Sequence, residues 1–214
     1  MELVIFDLDG TLVDTLKDLQ NCMNVVLQRH DFPPRTLEEI KSFVGNGIKK
    51  LTQRAVPQGT PTEITEICYE EMVGYYSLHA LDFTAPYGGI FDLLTDLHSK
   101  NKKVAVVTNK VQKSAESICS KFFDGLIDMV VGDDKKTPLK PAPDNVFKAI
   151  ELMGVDKNQV IYVGDSEVDA LTARNAEIPF VGVSWGFRGR AVLNESGAEK
   201  IADYPQELKS FLLP

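Results

Sequence analysis

Leu3-Val4-Ile5-Phe6-Asp7-Leu8-Asp9-Gly10-Thr11 joins an unbroken apolar run to two carboxylates one residue apart. The run reads as a buried strand. If the chain stays extended past Phe6, Asp7 and Asp9 project to one side while Leu8 points to the other. Two carboxylates in one small space repel by about 4 kcal/mol at ~4 Å and an effective dielectric near ~20, a cost relieved by a cation, a proton or a basic neighbour. The segment Phe6 to Thr11 by itself admits two readings: a strand end running into a solvated Asp-Gly turn, or a reactive loop at the carboxyl end of a strand.

Past Thr11 the pattern changes from strand to helix. Leu16, Leu19, Met23, Val26 and Leu27 form one stripe at helical spacing, which Pro33-Pro34 ends. Thr36-Leu37-Glu38-Glu39 has the form of a capping box, and Thr60-Pro61-Thr62-Glu63 repeats it with proline at the first helical position. Helices are expected near 37–44 and 61–79, so residues 15–82 read as all-helical. Beyond Pro86 strands and helices alternate. Helices are marked by Ile90, Leu93, Leu94 and Leu97, and by Ala115, Ile118, Cys119 and Phe122; two more start near Pro143 and Ser166. Strands are expected at Lys103 to Val107, Leu126 to Val131, Val160 to Val163 and Phe180 to Val183. Such alternation implies parallel strands joined by right-handed crossovers, and the break between the two patterns implies an inserted helical unit.

Composition narrows the function classes. The 214 residues are 43% hydrophobic and 25% charged, the balance of a globular protein rather than a disordered or fibrous one. A formal net charge of -8 argues against a nucleic-acid surface and requires that any phosphate site gather local positive charge or a metal. Cys22, Cys68 and Cys119 are odd in number and scattered, as expected of reduced thiols, and no Cys/His cluster has zinc spacing. The amino terminus lacks the pattern of a signal peptide and no apolar run approaches the roughly 20 residues of a bilayer span, so a cytoplasmic protein without a membrane segment is expected.

In an open parallel sheet, ligands sit outside the carboxyl ends of the strands. The residues at those positions are polar here. Phe6 precedes Asp7, Val107 precedes Thr108-Asn109, and Val163 precedes Gly164-Asp165-Ser166-Glu167-Val168-Asp169, with Lys140 between the last two in Leu139-Lys140-Pro141-Ala142-Pro143-Asp144. Each alone could be a cap or a turn, and Asp144 and Ser166 have the form of helix caps. Their joint occurrence in this order is harder to explain structurally.

From Leu3 onward the chain resembles the haloacid dehalogenase superfamily, whose four motifs stand here as Asp7-Leu8-Asp9-Gly10-Thr11, Thr108-Asn109, Lys140, and Gly164-Asp165 with Asp169. The resemblance implies an α/β fold, a Rossmann-like parallel-sheet core (1–14 and 83–214) with an inserted all-helical cap domain (15–82). It implies that Asp7 is the nucleophile of a phosphatase, forming an aspartyl-phosphate, with Asp9 as general acid and base. Magnesium would be bound by Asp7, the Asp9 carbonyl and Asp165, with Lys140 as a fixed cation and Asp169 holding Lys140 or a metal-bound water. Thr108, Asn109, Thr11 and the loop around Leu8 would serve the phosphoryl group.

Within the helical insert, Phe43-Val44-Gly45-Asn46-Gly47-Ile48-Lys49-Lys50 is a glycine-rich turn leading into a basic helix. One reading is a helix C-cap with solvated lysines. The other is a specificity loop in which Gly45, Asn46, Gly47 and Lys49 or Lys50 meet an anionic substrate group. With Ser184-Trp185-Gly186-Phe187, this segment is similar to phosphoglycolate phosphatases, which implies a small phosphorylated metabolite as partner and a monomer or homodimer. A sugar-phosphate mutase, a phosphonoacetaldehyde hydrolase and a pyrophosphatase would share the four motifs. A signalling receiver also clusters acids, Thr and Lys on a parallel sheet, but its phosphoacceptor follows a middle strand, where this chain has Thr108. Trp185 and Phe187 are expected to pack in the core or loop, with lining of the site as the alternative reading, and Arg188 and Arg190 to lie in a solvated loop.

Overall fold

A computed structural model describes residues 1–213. The chain divides into two compact units, one made of Met1–Asp14 with everything from Pro86 onward, the other of Thr15–Ala85.

The first unit is built on a six-stranded, wholly parallel sheet. Its strands are β1 (Leu3–Phe6), β2 (Lys103–Val111), β3 (Met129–Asp133), β4 (Val160–Gly164), β5 (Phe180–Val183) and β6 (Ile201–Ala202), ordered β3-β2-β1-β4-β5-β6. All four residues of β1 are completely buried, as a central strand covered on both faces requires. On one face, Leu3, Ile5, Ala105, Val107, Val160 and Tyr162 pack with residues of helices α7 (Asp144–Met153) and α8 (Glu167–Asn175). From β1 the chain builds outward through β2 to β3, then crosses to β4 on the other side. The switch in direction therefore lies at the carboxyl end of β1, where a crevice opens. Phe6 pairs with Val106 and Val163, so Asp7 is the first residue past the paired register, and its amide still donates to the Val163 carbonyl at 2.9 Å.

The second unit is helical up to its last residue, where the two-residue strand Ala85–Pro86 begins: α1 (Leu16–Arg29), α2 (Leu37–Phe43), α3 (Gly47–Ala55) and α4 (Thr62–His79). The α1 stripe of Leu16, Leu19, Met23, Val26 and Leu27 is buried as its spacing predicts. Asp18, on the same helix and almost fully buried, accepts from the amides of Phe83 and Thr84 and from the Thr84 hydroxyl, at 2.7 to 3.1 Å. The Thr36/Glu39 capping box is formed with both reciprocal hydrogen bonds.

Several local expectations are corrected. Thr60 makes no capping box: α4 starts at Thr62 after Pro61, and the Thr60 hydroxyl instead donates to the Pro57 carbonyl at 2.7 Å. Asp144 is the first residue of α7 and makes no cap bond, whereas Ser166 caps α8 reciprocally with Asp169. Helix α1 stops at Arg29, where Asp31 takes a left-handed turn, before the prolines. Strand β3 lies three residues later than its apolar run begins, because Leu126 closes a turn onto Phe123. On α6 (Gln112–Phe123) the buried aromatic is Phe123 rather than Phe122. Helices α5 (Ile90–Ser99), α9 (Gly189–Glu195) and α10 (Pro205–Leu212) complete the set. Short α9 and β6 are too brief to give a periodic pattern. Arg190 lies in α9, with its guanidinium on Asp203 and the Ile201 carbonyl, and Arg188 pairs with Glu167 at 3.1 Å, so neither is a simple solvated charge. No helix among the described residues is long and apolar enough to cross a membrane.

Candidate active site

Asp7, Lys140, Asp165 and Asp169 come together at the carboxyl end of the sheet, all of them buried. The Lys140 ammonium lies 2.7 Å from Asp7 Oδ1, 2.8 Å from Asp169 Oδ1 and 3.1 Å from the Tyr162 hydroxyl. Its three protons thus meet three acceptors, the satisfied arrangement a buried ammonium needs. Tyr162 reaches this point from β4 because its ring fills the sheet core while its hydroxyl donates to the Val107 carbonyl at 3.0 Å.

Asp169 is fully engaged. One oxygen takes Lys140; the other accepts from the Ser166 amide at 3.1 Å and its hydroxyl at 2.6 Å. The helix cap of α8 and the lysine are therefore held by one side chain. Asn109 works from the other end of the lysine: its amide oxygen accepts from the Lys140 backbone N–H at 2.8 Å and its amide nitrogen donates to the Lys140 carbonyl at 3.1 Å. The structure thus places Asn109 on the main chain that carries Lys140.

The loop after β1 wraps tightly. The Leu8 carbonyl accepts from Thr11, Leu12 and Val13 at 3.0 to 3.3 Å, and Gly10 takes a left-handed φ of 87°. A Cβ on Gly10 would also stand 2.5 Å from Asp165 Oδ2, so two independent reasons require glycine there. Thr11, completely buried, points its hydroxyl toward Asp165 Oδ1 at 3.4 Å. Thr108 is also buried, and its hydroxyl oxygen accepts from the Lys110 amide at 3.2 Å.

Five residues join the site beyond those assigned to it from the sequence: Lys110, Tyr162, Trp185, Gly186 and Phe187. Lys110 forms an ion pair with Asp9 at 2.9 Å. Tyr162 was legible only as a strand residue. The Phe187 amide donates to Asp165 Oδ2 at 2.7 Å, and Gly186 lies so close that a Cβ would stand 2.3 Å from both Asp165 Cβ and the Gly10 carbonyl. Trp185 donates its indole N–H to the Thr11 carbonyl at 3.1 Å, which makes the segment 184–187 a brace for the acidic loop. In the sequence Gly186 stood out only as part of the segment Ser184-Trp185-Gly186-Phe187.

The electrostatics are lopsided. Asp7, Asp165 and Asp169 each offer a carboxylate oxygen within 4.8 Å of the others, against the single Lys140 charge. Burial pushes the Asp7 carboxyl up to about 7 against the pull of Lys140, with Asp169 and Asp9 adding to the rise. Burial, then Asp169 and Asp7, holds Asp165 well above the usual carboxylate range. For Lys140, burial pulls downward, but Asp169 and Asp7 outweigh it and keep the ammonium charged. A cluster of carboxylate oxygens that resists ionisation is the donor set that suits a hard divalent cation. The Asp9 carboxylate turns to Lys110, so Asp9 is left its main-chain carbonyl for that purpose.

This gives a stability prediction. An acid whose pKa is higher folded than unfolded binds its proton more tightly when folded. Its contribution is complete below the unfolded value of 3.8 and is lost as pH climbs through about 7. Without divalent cations, Tm is expected to fall between about pH 5 and about pH 8, and magnesium is expected to raise Tm more at the higher pH, where no proton need be displaced. Differential scanning fluorimetry checks this; equal magnesium shifts at both pH values would contradict it.

The residues Gly45, Asn46, Gly47 and Lys49 lie in the helical unit. Gly45 and Gly47 take φ of 121° and 79°, and Asn46 precedes α3 and accepts from Arg54 at 3.0 Å. Lys49 pairs with Glu66 on α4 at 2.9 Å and stands 5.2 Å over the Tyr69 ring. The turn does lead into a helix, and Lys49 is tied to its neighbour rather than simply solvated.

A wholly parallel sheet with a helical insert and an acid-lysine cluster at the switch point define a class of hydrolase, and the sequence agrees. Residues 4–183 match the model of the haloacid dehalogenase-like hydrolase family, and the chain belongs to that family. Among named relatives, a phosphoglycolate phosphatase of Caulobacter vibrioides is 33% identical over 192 residues, covering 86% of this chain and 79% of the relative. That of Pseudomonas fluorescens is 32% identical over 209 residues, covering 94% and 76%. A solved structure from Lactobacillus delbrueckii subsp. bulgaricus superposes with a TM-score of 0.94 at 31% identity over 99% of this chain and 98% of the other. A predicted phosphoglycolate phosphatase from Haemophilus somnus gives 0.91 at 26% identity over 99% and 98%. The chain is a phosphatase-type enzyme of this family.

Proposed function

We propose that this enzyme is a magnesium-dependent phosphomonoester hydrolase working through an aspartyl-phosphate on Asp7, with a small phosphorylated acid such as 2-phosphoglycolate as its substrate. The observation that carries the reading is the Lys140 ammonium fixed between Asp7 and Asp169, beside Asp165, at the switch point of the sheet.

In this account Asp7 attacks phosphorus, the bond from phosphorus to the leaving oxygen breaks, and Asp9 gives a proton to the departing alkoxide. Water then attacks the acyl phosphate, Asp9 takes its proton, and Asp7 is regenerated as inorganic phosphate leaves. Lys140 offers fixed positive charge to the nucleophile and the transferring oxygens, without needing to reorganise. Thr108 and the loop amides of Leu8 and Asp9 hold phosphoryl oxygens, Thr11 holds the loop, and Asn109 acts through the Lys140 backbone. Magnesium, held by Asp7, Asp165 and the Asp9 carbonyl, would supply positive charge that offsets the repulsion between nucleophile and phosphate dianion. Gly45, Asn46, Gly47 and Lys49 are proposed to recognise the acidic group of the substrate. The names of the relatives support the substrate class.

The test is phosphate release across phosphorylated metabolites in the presence of magnesium. The expected result is a kcat/KM for 2-phosphoglycolate at least ~10-fold above those for sugar phosphates. A bisphosphate-dependent interconversion of sugar phosphates, or a preference for pyrophosphate, would overturn the substrate assignment.

A further inference from the structure

Asp9 is the residue of the acidic loop whose position the four motifs do not explain. Its carboxylate is only partly covered, and both oxygens face one group: Lys110 Nζ lies 2.9 Å from Oδ1 and 3.2 Å from Oδ2. The lysine itself is almost fully buried, with 3% of its side chain exposed. An ammonium costs several kcal/mol to bury unless it is paired, so this placement demands a reason.

The fold delivers Lys110 by a specific irregularity. Strand β2 pairs with β3 in register at Val107 with Val131, but the next partners are Val111 and Asp133. Four steps along β2 therefore oppose two along β3, and Thr108, Asn109 and Lys110 fall within the bulge. A bulge breaks the ladder and re-aims side chains. The broken ladder is repaired by a side chain: the Gln112 amide nitrogen donates to the Val130 carbonyl at 2.9 Å and its oxygen accepts from the Gly132 amide at 2.5 Å. Gly132 is required as well, since a Cβ there would stand 2.7 Å from the Lys110 carbonyl. The Lys110 amide is fixed by the Thr108 hydroxyl at 3.2 Å. Backbone, neighbouring strand and a substitute hydrogen-bonding side chain all hold the stem that aims Lys110 at Asp9.

We infer that Lys110 is the positioning residue for Asp9, setting where the acid-base carboxyl stands relative to the leaving oxygen. This rests on the reading of Asp9 as the proton donor given above. Lys110 need not touch substrate for this. An acid displaced by even one rotamer loses reach to the oxygen it protonates, because proton transfer requires hydrogen-bond distance.

The consequence is a dependence on the leaving group. Glycolate departs from 2-phosphoglycolate as a basic alkoxide and needs the proton, whereas 2,4-dinitrophenol departs from its phosphate ester as a stable phenolate and does not. Both substrates are measured by kcat/KM, which covers only the steps up to departure of the leaving group. Lys110→Met is expected to lower kcat/KM for 2-phosphoglycolate by about 100-fold and for the dinitrophenyl ester by less than ~3-fold. Asp9→Asn is expected to show the same selectivity with a larger loss. Removing a buried cation beside a carboxylate can harm folding, so the double variant Asp9→Asn/Lys110→Met, which strands no charge, completes the cycle. It is expected to be no slower than Asp9→Asn alone, since Lys110 acts through Asp9. A double variant well below Asp9→Asn, or equal losses of both substrates in Lys110→Met, would overturn the positioning role. If Asp9→Asn itself loses both substrates equally, the proton-donor reading of Asp9 fails, and that outcome is distinct from a failure confined to Lys110.

Discussion

Asp7→Asn protein is expected to release no measurable phosphate from any substrate, a loss of at least ~10⁴-fold, while remaining folded. The substitution keeps the shape of the side chain but removes the oxygen anion that would attack phosphorus, and no other group in the site can take its place. Asp9 is paired to Lys110, Asp169 is spent on Lys140 and Ser166, and Asp165 accepts from Phe187 and lies 3.4 Å from the Thr11 hydroxyl. Stability moves the other way. Burial raises the Asp7 carboxyl to about 7, so near neutral pH the folded protein holds this acid at a cost, and neutral asparagine relieves it. Without magnesium, the Asp7→Asn variant is expected to melt no lower than the parent near pH 8. Steady-state phosphate release and thermal melts of the same preparation check both halves. Retained turnover would remove Asp7 as nucleophile.

Lys140→Met has the second largest expected effect, and here activity and stability fall together. The lysine gives its three donors to Asp7, Asp169 and Tyr162. Breaking such a set by removing one member typically costs about 3–5 kcal/mol, because the remaining charges stay buried without compensation. The loss is expected to grow with pH, since protonation of Asp7 relieves it at low pH and ionisation exposes it at high pH. Turnover is expected to drop by ~10²–10³-fold or more, the scale for losing one preorganised electrostatic contact to the transferring group. Urea unfolding at two pH values, with kcat on the folded fraction, measures both. A variant as stable as the parent near pH 8 would show that the cluster is not held as described.

How much of this was legible in the sequence follows from what each residue answers to. The β1 run, the helical stripe from Leu16 to Leu27 and the Thr36 capping box are governed by local periodicity and local hydrogen bonds, and they stand where the pattern puts them. Asp7, Lys140, Asp165 and Asp169 are far apart in the chain, yet each follows or flanks a strand end, so a parallel sheet brings them together. Lys110 could not be read this way. The apolar run stops at Val107, which hides both the continuation of β2 to Val111 and the bulge that buries a lysine. Tyr162 looks like core because most of it is core; only its hydroxyl reaches the site. Thr60 had the composition of a cap, but Pro61 turns the chain so that its hydroxyl finds Pro57 instead. Local chemistry was legible, whereas contacts created by a strand irregularity or by the far end of a long side chain were not.

The most direct measurement is the crystal structure of the enzyme soaked with magnesium and fluoroberyllate, a mimic of the phosphoryl group on a carboxylate. The account predicts beryllium bonded to a carboxylate oxygen of Asp7, with Lys140 and Thr108 on its fluorines. Beryllium on Asp9, Asp165 or Asp169, or at a site away from the end of β1, would contradict it.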